Sequence, residues 1–169
     1  NLELEADAAY QFSRVFDQCP SRRVQAWYGW RILSDEIWET VQAKCKNNHE
    51  MATVFFLRGY AANADPIEDM RQMQELDPGS KMIEVLLLRE INKIENEVLN
   101  VPFSAEKPLS KRLTANPAAR ELQSFVNDVM AGGKMNDRNV WQLAHTYLYF
   151  LQGDLAQAST ELGQKQGSL

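Results

Sequence analysis

The stretch Tyr149–Leu162, Y-F-L-Q-G-D-L-A-Q-A-S-T-E-L, holds two helices and the turn between them. The first helix ends near Gln152, and Gly153-Asp154 makes the turn. Leu155, Ala158 and Leu162 then recur at helical spacing along one face of the second helix. Ala158 is small, so the two helices can come close. Much of the remaining chain can be read as looser versions of this antiparallel pair. Gly and Pro are few and strand-like alternation is scarce, which points to an all-helical class.

Stop and start signals divide the chain into about nine helices. The first is expected over Glu3–Gln18, with Leu4, Ala8, Phe12, Val15 and Cys19 as its apolar stripe. Pro20 stops it, and Ser21 is placed to cap a second helix carrying Val24, Trp27, Tyr28 and Ile32. Ser34 caps a third, with Asp35 and Glu36 in its first turn, where the helix dipole favours carboxylates, and Ile37, Trp38, Val41 and Cys45 on its apolar face. After Asn47-Asn48 comes a fourth, with Met51, Val54, Phe55, Arg58 and Ala62. Asp65-Pro66-Ile67-Glu68 combines a capping Asp, a proline at the first helical position and an acid three residues after the cap. The fifth helix then carries Ile67, Met70, Met73 and Leu76. After Asp77-Pro78-Gly79-Ser80 the sixth is the longest, with Ile83, Leu87, Ile91, Ile94 and Val98 on its main stripe and Val85, Leu86 and Leu88 widening it. Asn116-Pro117 opens a seventh, with Leu122, Phe125, Val126, Val129 and Met130, ended by Gly132-Gly133.

A single domain of 169 residues is long enough for a real core. It is expected to divide into a first helix array over 1–99, a loop or insertion over 100–115 carrying Pro102 and Pro108, and C-terminal helices over 116–169. The chain is helical in character from N-L-E-L-E-A-D onward and lacks an initiator Met. A processed product or a piece of a longer protein would read this way.

The pattern resembles the tetratricopeptide repeat family. Tyr149, Gly153-Asp154, Ala158 and Leu162 sit at the family's Tyr, Gly, Ala and large-apolar positions. Ala8-x-x-x-Phe12 followed by Pro20 matches the A-x3-F…P half of a repeat, and Pro66, Met70 and Pro78 echo that spacing. The middle helix pairs are shorter than the family's ~34-residue period. The resemblance implies an all-α fold of antiparallel helix pairs stacked as a right-handed superhelix; the plainer alternative is an irregular helical bundle. It also implies a concave groove lined by the first helix of each pair. Trp27, Arg31, Phe55, Arg58, Arg89, Lys93 and Tyr147 would face that groove, together with Val24, Met51, Val85, Asn92, Leu143 and Phe150. Arginine forks and aromatic anchors would suit an acidic or carboxylate-ended peptide. The competing reading has these arginines pairing with acids such as Asp35 or Glu90 on a solvated face. The family's carboxylate clamp of Lys-x3-Asn and Lys-x3-Arg helices is not reproduced cleanly.

The formal charge of −5 makes nucleic acid an unfavoured partner. No apolar run is long enough to span a bilayer. Cys19 and Cys45 could form one disulfide or stand as two thiols, and the compartment, cytoplasm or cell envelope, stays open. Cys19, Cys45 and His49 fall short of a zinc site, and no fourth ligand suggests itself. His145, in W-Q-L-A-H-T-Y, is expected at a helix interface or facing solvent. Without a phosphate loop, metalloprotease motif or nucleophile elbow, neither an enzyme nor a cofactor is expected.

The leading expectation is therefore a non-enzymatic scaffold for protein or peptide binding. One alternative is a glycan- or small-molecule-binding protein like some sugar-binding lipoproteins of the bacterial cell envelope, with Trp27, Tyr28, Trp30 and Trp38 as a stacking platform. Another is an oligomeric structural element whose first helix pairs with a second copy.

Overall fold

The chain is all-α. The computed structural model describes residues 1–61, 64–99 and 116–166; the expected loop or insertion over 100–115 lies outside them. Among the described residues there are nine α-helices and no strand. They are α1 (Leu2–Gln18), α2 (Arg23–Gly29), α3 (Asp35–Lys44), α4 (Asn48–Gly59), α5 (Pro66–Leu76), α6 (Lys81–Leu99), α7 (Pro117–Gly132), α8 (Arg138–Leu151) and α9 (Leu155–Gln166). A 3-10 turn, Pro20–Arg22, joins α1 to α2. The chain divides into two compact units, Asn1–Met82 and Ile83–Leu169.

The helix boundaries follow the capping chemistry. Ser34 Oγ accepts from Ile37 N–H at 3.3 Å, and Asp65 Oδ1 from Glu68 N–H with Pro66 at the first helical position. Asn116 Oδ1 accepts from Ala119 N–H ahead of Pro117. Each satisfies a backbone donor that the first turn leaves without a partner. Gly133 closes α7 at φ 68°, its N–H returning to the Val129 carbonyl at 3.1 Å. Gly153 turns α8 into α9 at φ 79°, and Asp154 Oδ1 accepts from Gln157 N–H. Left-handed conformations at those two positions suit a residue without Cβ.

In the first unit, α1 packs on α2, α3 and α4, and α4 packs on α5. Lys44 of α3 reaches Glu3 and Asp7 of α1 at 2.6 and 2.9 Å. Tyr10 donates its hydroxyl to Glu50 at 2.9 Å. α4 is the central helix, with every residue from Ala52 to Leu57 buried. Phe16, Phe56 and Tyr60 form a run of ring contacts with centroids 5.5 and 5.6 Å apart.

Two stripes of this unit differ from expectation. On α1 the buried residues are Ala6, Ala9, Tyr10 and Ser13, while Leu4 and Val15 are exposed. Small residues admit α3 and α4 to short range, so close approach decides which side of α1 faces inward. α2 stops at Gly29, short of Ile32, and it is Ala26 and the following Trp30 that are buried, with Val24 and Tyr28 exposed. Gly29 fixes this packing. A Cβ there would lie 2.5 Å from Cε1 and Cζ of Phe12. Ala usually stabilises a helix relative to Gly, but Gly29→Ala is expected to destabilise by about 1–3 kcal/mol through overpacking. A denaturant midpoint unchanged or raised in the variant would contradict this contact.

In the second unit α7 packs on α8 and α8 on α9. Gln123 and Asn127 of α7 meet Gln152, which caps the end of α8, and His145 within α8, so this pair is antiparallel. The core holds Leu86, Leu87, Leu122, Phe125, Trp141, Leu148 and Leu151, each at most 1% exposed. The expected α6 stripe of Ile83, Leu87, Ile91, Ile94 and Val98 is buried throughout. On α9 only Ala158 of the Leu155, Ala158, Leu162 stripe is buried.

Candidate functional site

α6 and α8 run in the same direction. At their beginnings the buried Glu84 accepts from Asp137 N–H at 2.8 Å and from Asn136 at 3.1 Å. Eleven residues further along α6, Glu95 is hydrogen-bonded by the hydroxyl of Tyr147 on α8. The two helices line an open cavity of about 440 Å³, formed by Leu88, Ile91, Asn92 and Glu95 from α6 and by Val140, Leu143, Ala144 and Tyr147 from α8. That volume lies within the range of ordinary ligand pockets. Each helix contributes residues at i, i+3, i+4 and i+7, a single stripe. Leu88 and Leu143 are 47% and 59% exposed. The polar groups Asn92, Glu95 and Tyr147 belong to the later part of the stripe. Burial, then the hydrogen bond and charge of Glu95, push the Tyr147 phenol above its ordinary value.

The seven expected groove residues divide between the two units. Trp27 stands edge-on to Tyr60, with ring centroids 5.2 Å apart. Arg31 lies in the segment after α2 and donates to the Trp30 carbonyl at 2.9 Å. Phe55 is buried edge-on against Trp38 at 5.3 Å. Arg58 sits over both rings, 4.0 Å from the Trp38 centroid and 5.0 Å from that of Phe55. Its guanidinium grips Asp69 Oδ1 through Nε at 2.8 Å and Nη2 at 2.5 Å. The Asp69 side chain is 2% exposed. Burial holds its carboxyl above the usual carboxylate range, with Arg58 pulling it back. In the second unit, Lys93 bonds Glu90 at 2.7 Å, and Arg89 approaches the same oxygen at 3.8 Å. Of the seven, Tyr147 lines the cavity; of the wider set, so do Asn92 and Leu143. Phe55 and Arg58 come together, as do Arg89 and Lys93, and each cation has an oxygen partner.

No family model, curated protein or solved structure matches the chain.

The remaining titratable groups are placed as follows. Cys19 and Cys45 are both free thiols. Burial pushes the Cys45 thiol up to about 11, and it donates to the Val41 carbonyl. At neutral pH it is a thiol, not a nucleophilic thiolate. His145 packs between helices: Nε2 faces Asn127 at 2.8 Å and Nδ1 lies 3.8 Å from Glu161. Burial lowers its pKa, opposed by Glu161. Among the described residues no three His, Cys, Asp or Glu side chains gather as a metal site. No helix among them is long and apolar enough to cross a membrane. The aromatic platform does not form as one open face: Trp30 is buried and Arg58 lies over Trp38.

His49 was a weak candidate ligand in the sequence and acts as a clamp between helices. Its Nδ1 lies 2.8 Å from Asp77 and its Nε2 3.1 Å from Asp17. Carboxylates only accept, so satisfying both contacts needs the doubly protonated ring. The hydrogen bond to Asp77 raises its pKa above 6.5, assisted by Asp17. The stabilisation is fully present below the ordinary value and lost as pH rises through the raised folded value. An NMR titration of the His49 ring is expected to give a midpoint above 6.5, lowered more by Asp77→Asn than by Asp17→Asn. A midpoint at or below the ordinary value would contradict the clamp.

Proposed function

We propose that the chain is a non-enzymatic, tetratricopeptide-like binding module whose α6–α8 groove seats the apolar stripe of a helical segment from a partner protein. The observation that carries this reading is the pair of exposed leucines, Leu88 and Leu143, over an apolar cavity between two helices running in the same direction. Ridges at i, i+3 and i+4 leave a trough between such helices, and a third helix packs its own ridge into a trough of that kind. Leucines standing half in water gain about 25 cal/mol for each Å² of apolar surface they bury. His49 and Cys45, two groups suited to proton or nucleophile chemistry, are engaged elsewhere. His49 is held between two carboxylates, and Cys45 is a protonated thiol.

The test is selection from a displayed library of amphipathic helices. The bait is the intact chain, and counter-selection uses Leu143→Glu. Leu143 is 59% exposed, so this variant is expected to keep the wild-type circular dichroism and thermal midpoint. Selected helices are expected to bind the wild-type chain and to lose affinity at least tenfold for Leu143→Glu and for Leu88→Glu. A library yielding no binder, or binders indifferent to both substitutions, would overturn the reading.

A further inference from the structure

The groove is apolar along most of its length, with a single charged side chain, Glu95, among its lining residues. Glu95 is half-buried, hydrogen-bonded by Tyr147 on one side and flanked by Asn92 one turn earlier. No cation from α6 or α8 lines the cavity beside it. Lys93 and Arg89 lie about 100–140° around the helix from Leu88, at 100° per residue, and both approach Glu90. Glu84, on the groove-side line of α6, is used at the other end in capping α8. The groove therefore presents to a partner an apolar floor with one partly desolvated negative charge. A carboxylate in the partner would meet Glu95 as a like charge, whereas an ammonium or guanidinium would form a charge-assisted hydrogen bond with it.

We infer that the helix this groove takes is basic, with a Lys or Arg about one turn beyond its apolar stripe, set against Glu95. This rests on the proposed docking of a helix in the groove and adds the chemical class of the partner. It differs from the acidic peptide that the arginines suggest in the sequence. Those arginines hold Asp69, the Trp30 carbonyl and Glu90 in the folded chain. Charge complementarity in a partly desolvated setting sets which partners are admitted more than how tightly an apolar stripe binds.

The experiment reads charge in the selected helices. Positions flanking both ends of the leucine stripe are randomised, so either direction of lying is sampled. Selection on the wild-type chain is expected to enrich Lys and Arg over Asp and Glu at one flank, and selection on Glu95→Lys to reverse that preference. For a purified selected helix, changing its flanking Lys to Glu is expected to weaken binding to wild type about tenfold, the scale of one charged hydrogen bond. The same change should have little effect on binding to Glu95→Gln. Raising salt should narrow the wild-type difference. Binders that depend on Leu143 yet show no charge preference would overturn the inference and leave the groove reading standing. Binders enriched in Asp or Glu would also overturn it. No binder at all would remove the groove reading, and this inference with it.

Discussion

Replacing Arg58 with methionine is expected to destabilise the chain by about 3 kcal/mol, the lower end of the cost of stripping one partner from a buried ion pair. The lower end applies because the Arg58 side chain is 37% exposed and part of its interaction is screened by water. Methionine fills part of the space beside Trp38 and Phe55 but gives up the guanidinium over their rings, so the loss combines the abandoned carboxylate with that cation–π contact. Asp69 is 2% exposed on the opposite helix and would be left buried and charged. Asp69→Asn removes the charge that needs compensation, leaves the half-exposed guanidinium in reach of water, and is expected to cost about 1 kcal/mol. Burial already raises the Asp69 pKa, and losing Arg58 raises it further. The Arg58→Met deficit should therefore shrink as pH falls through that raised value and the acid takes up a proton. Urea unfolding of both variants at neutral and mildly acidic pH checks the account. Equal costs for the two variants, or a deficit that does not shrink with acid, would contradict it.

A loss of about 3–5 kcal/mol is expected for Phe125→Ala in the second unit. Phe125 is 1% exposed on α7 and stands edge-on to the equally buried Trp141 of α8, ring centroids 5.8 Å apart. Truncation removes the transfer free energy of the ring, opens a cavity and ends a favourable aromatic geometry. Phe125→Leu, which keeps much of the volume, should cost less than about 1.5 kcal/mol. The contrast with Leu143→Glu is informative. Trp141 and Leu143 are two residues apart on α8, yet one is sealed in the core and the other opens onto the groove. The core substitution should lower the unfolding midpoint and spare binding in the fraction that stays folded; the groove substitution should do the reverse. A small effect of Phe125→Ala on stability would show that α7 does not pack on α8 as described.

The helices among the described residues and most of their boundaries were legible because they depend on local chemistry. Ser34, Asp65-Pro66, Asn116-Pro117, Gly133 and Gly153 act within a few residues of themselves. The α6 stripe was legible because it is long and strongly periodic. The inward side of α1 was not, since Leu4, Ala8 and Val15 outweigh Ala6, Ala9 and Ser13 in hydrophobicity although the latter are buried. Small residues are chosen for close approach, which a hydrophobic pattern under-weights.

The same division applies to the site. Glu90 could be named as a partner of Arg89 from adjacency alone, but Asp69 lies on another helix from Arg58, and nothing local marks that pair. Leu88, Ile91, Val140 and Ala144 read as ordinary helix-face residues. Which faces stay uncovered depends on how α6 and α8 lie together. Tyr147, Asn92 and Leu143, named from the repeat resemblance, line the α6–α8 cavity together with those residues.

Docking in the α6–α8 groove can be read residue by residue in a methyl NMR titration of the intact chain with a helix from the library selection. Progressive shifts of the Leu88, Ile91, Val140, Leu143 and Ala144 methyls are expected, with Ile37, Val41 and Leu57 of the first unit unmoved. Shifts concentrated around Trp38, Phe55 and Arg58, with the α6–α8 methyls silent, would contradict that docking.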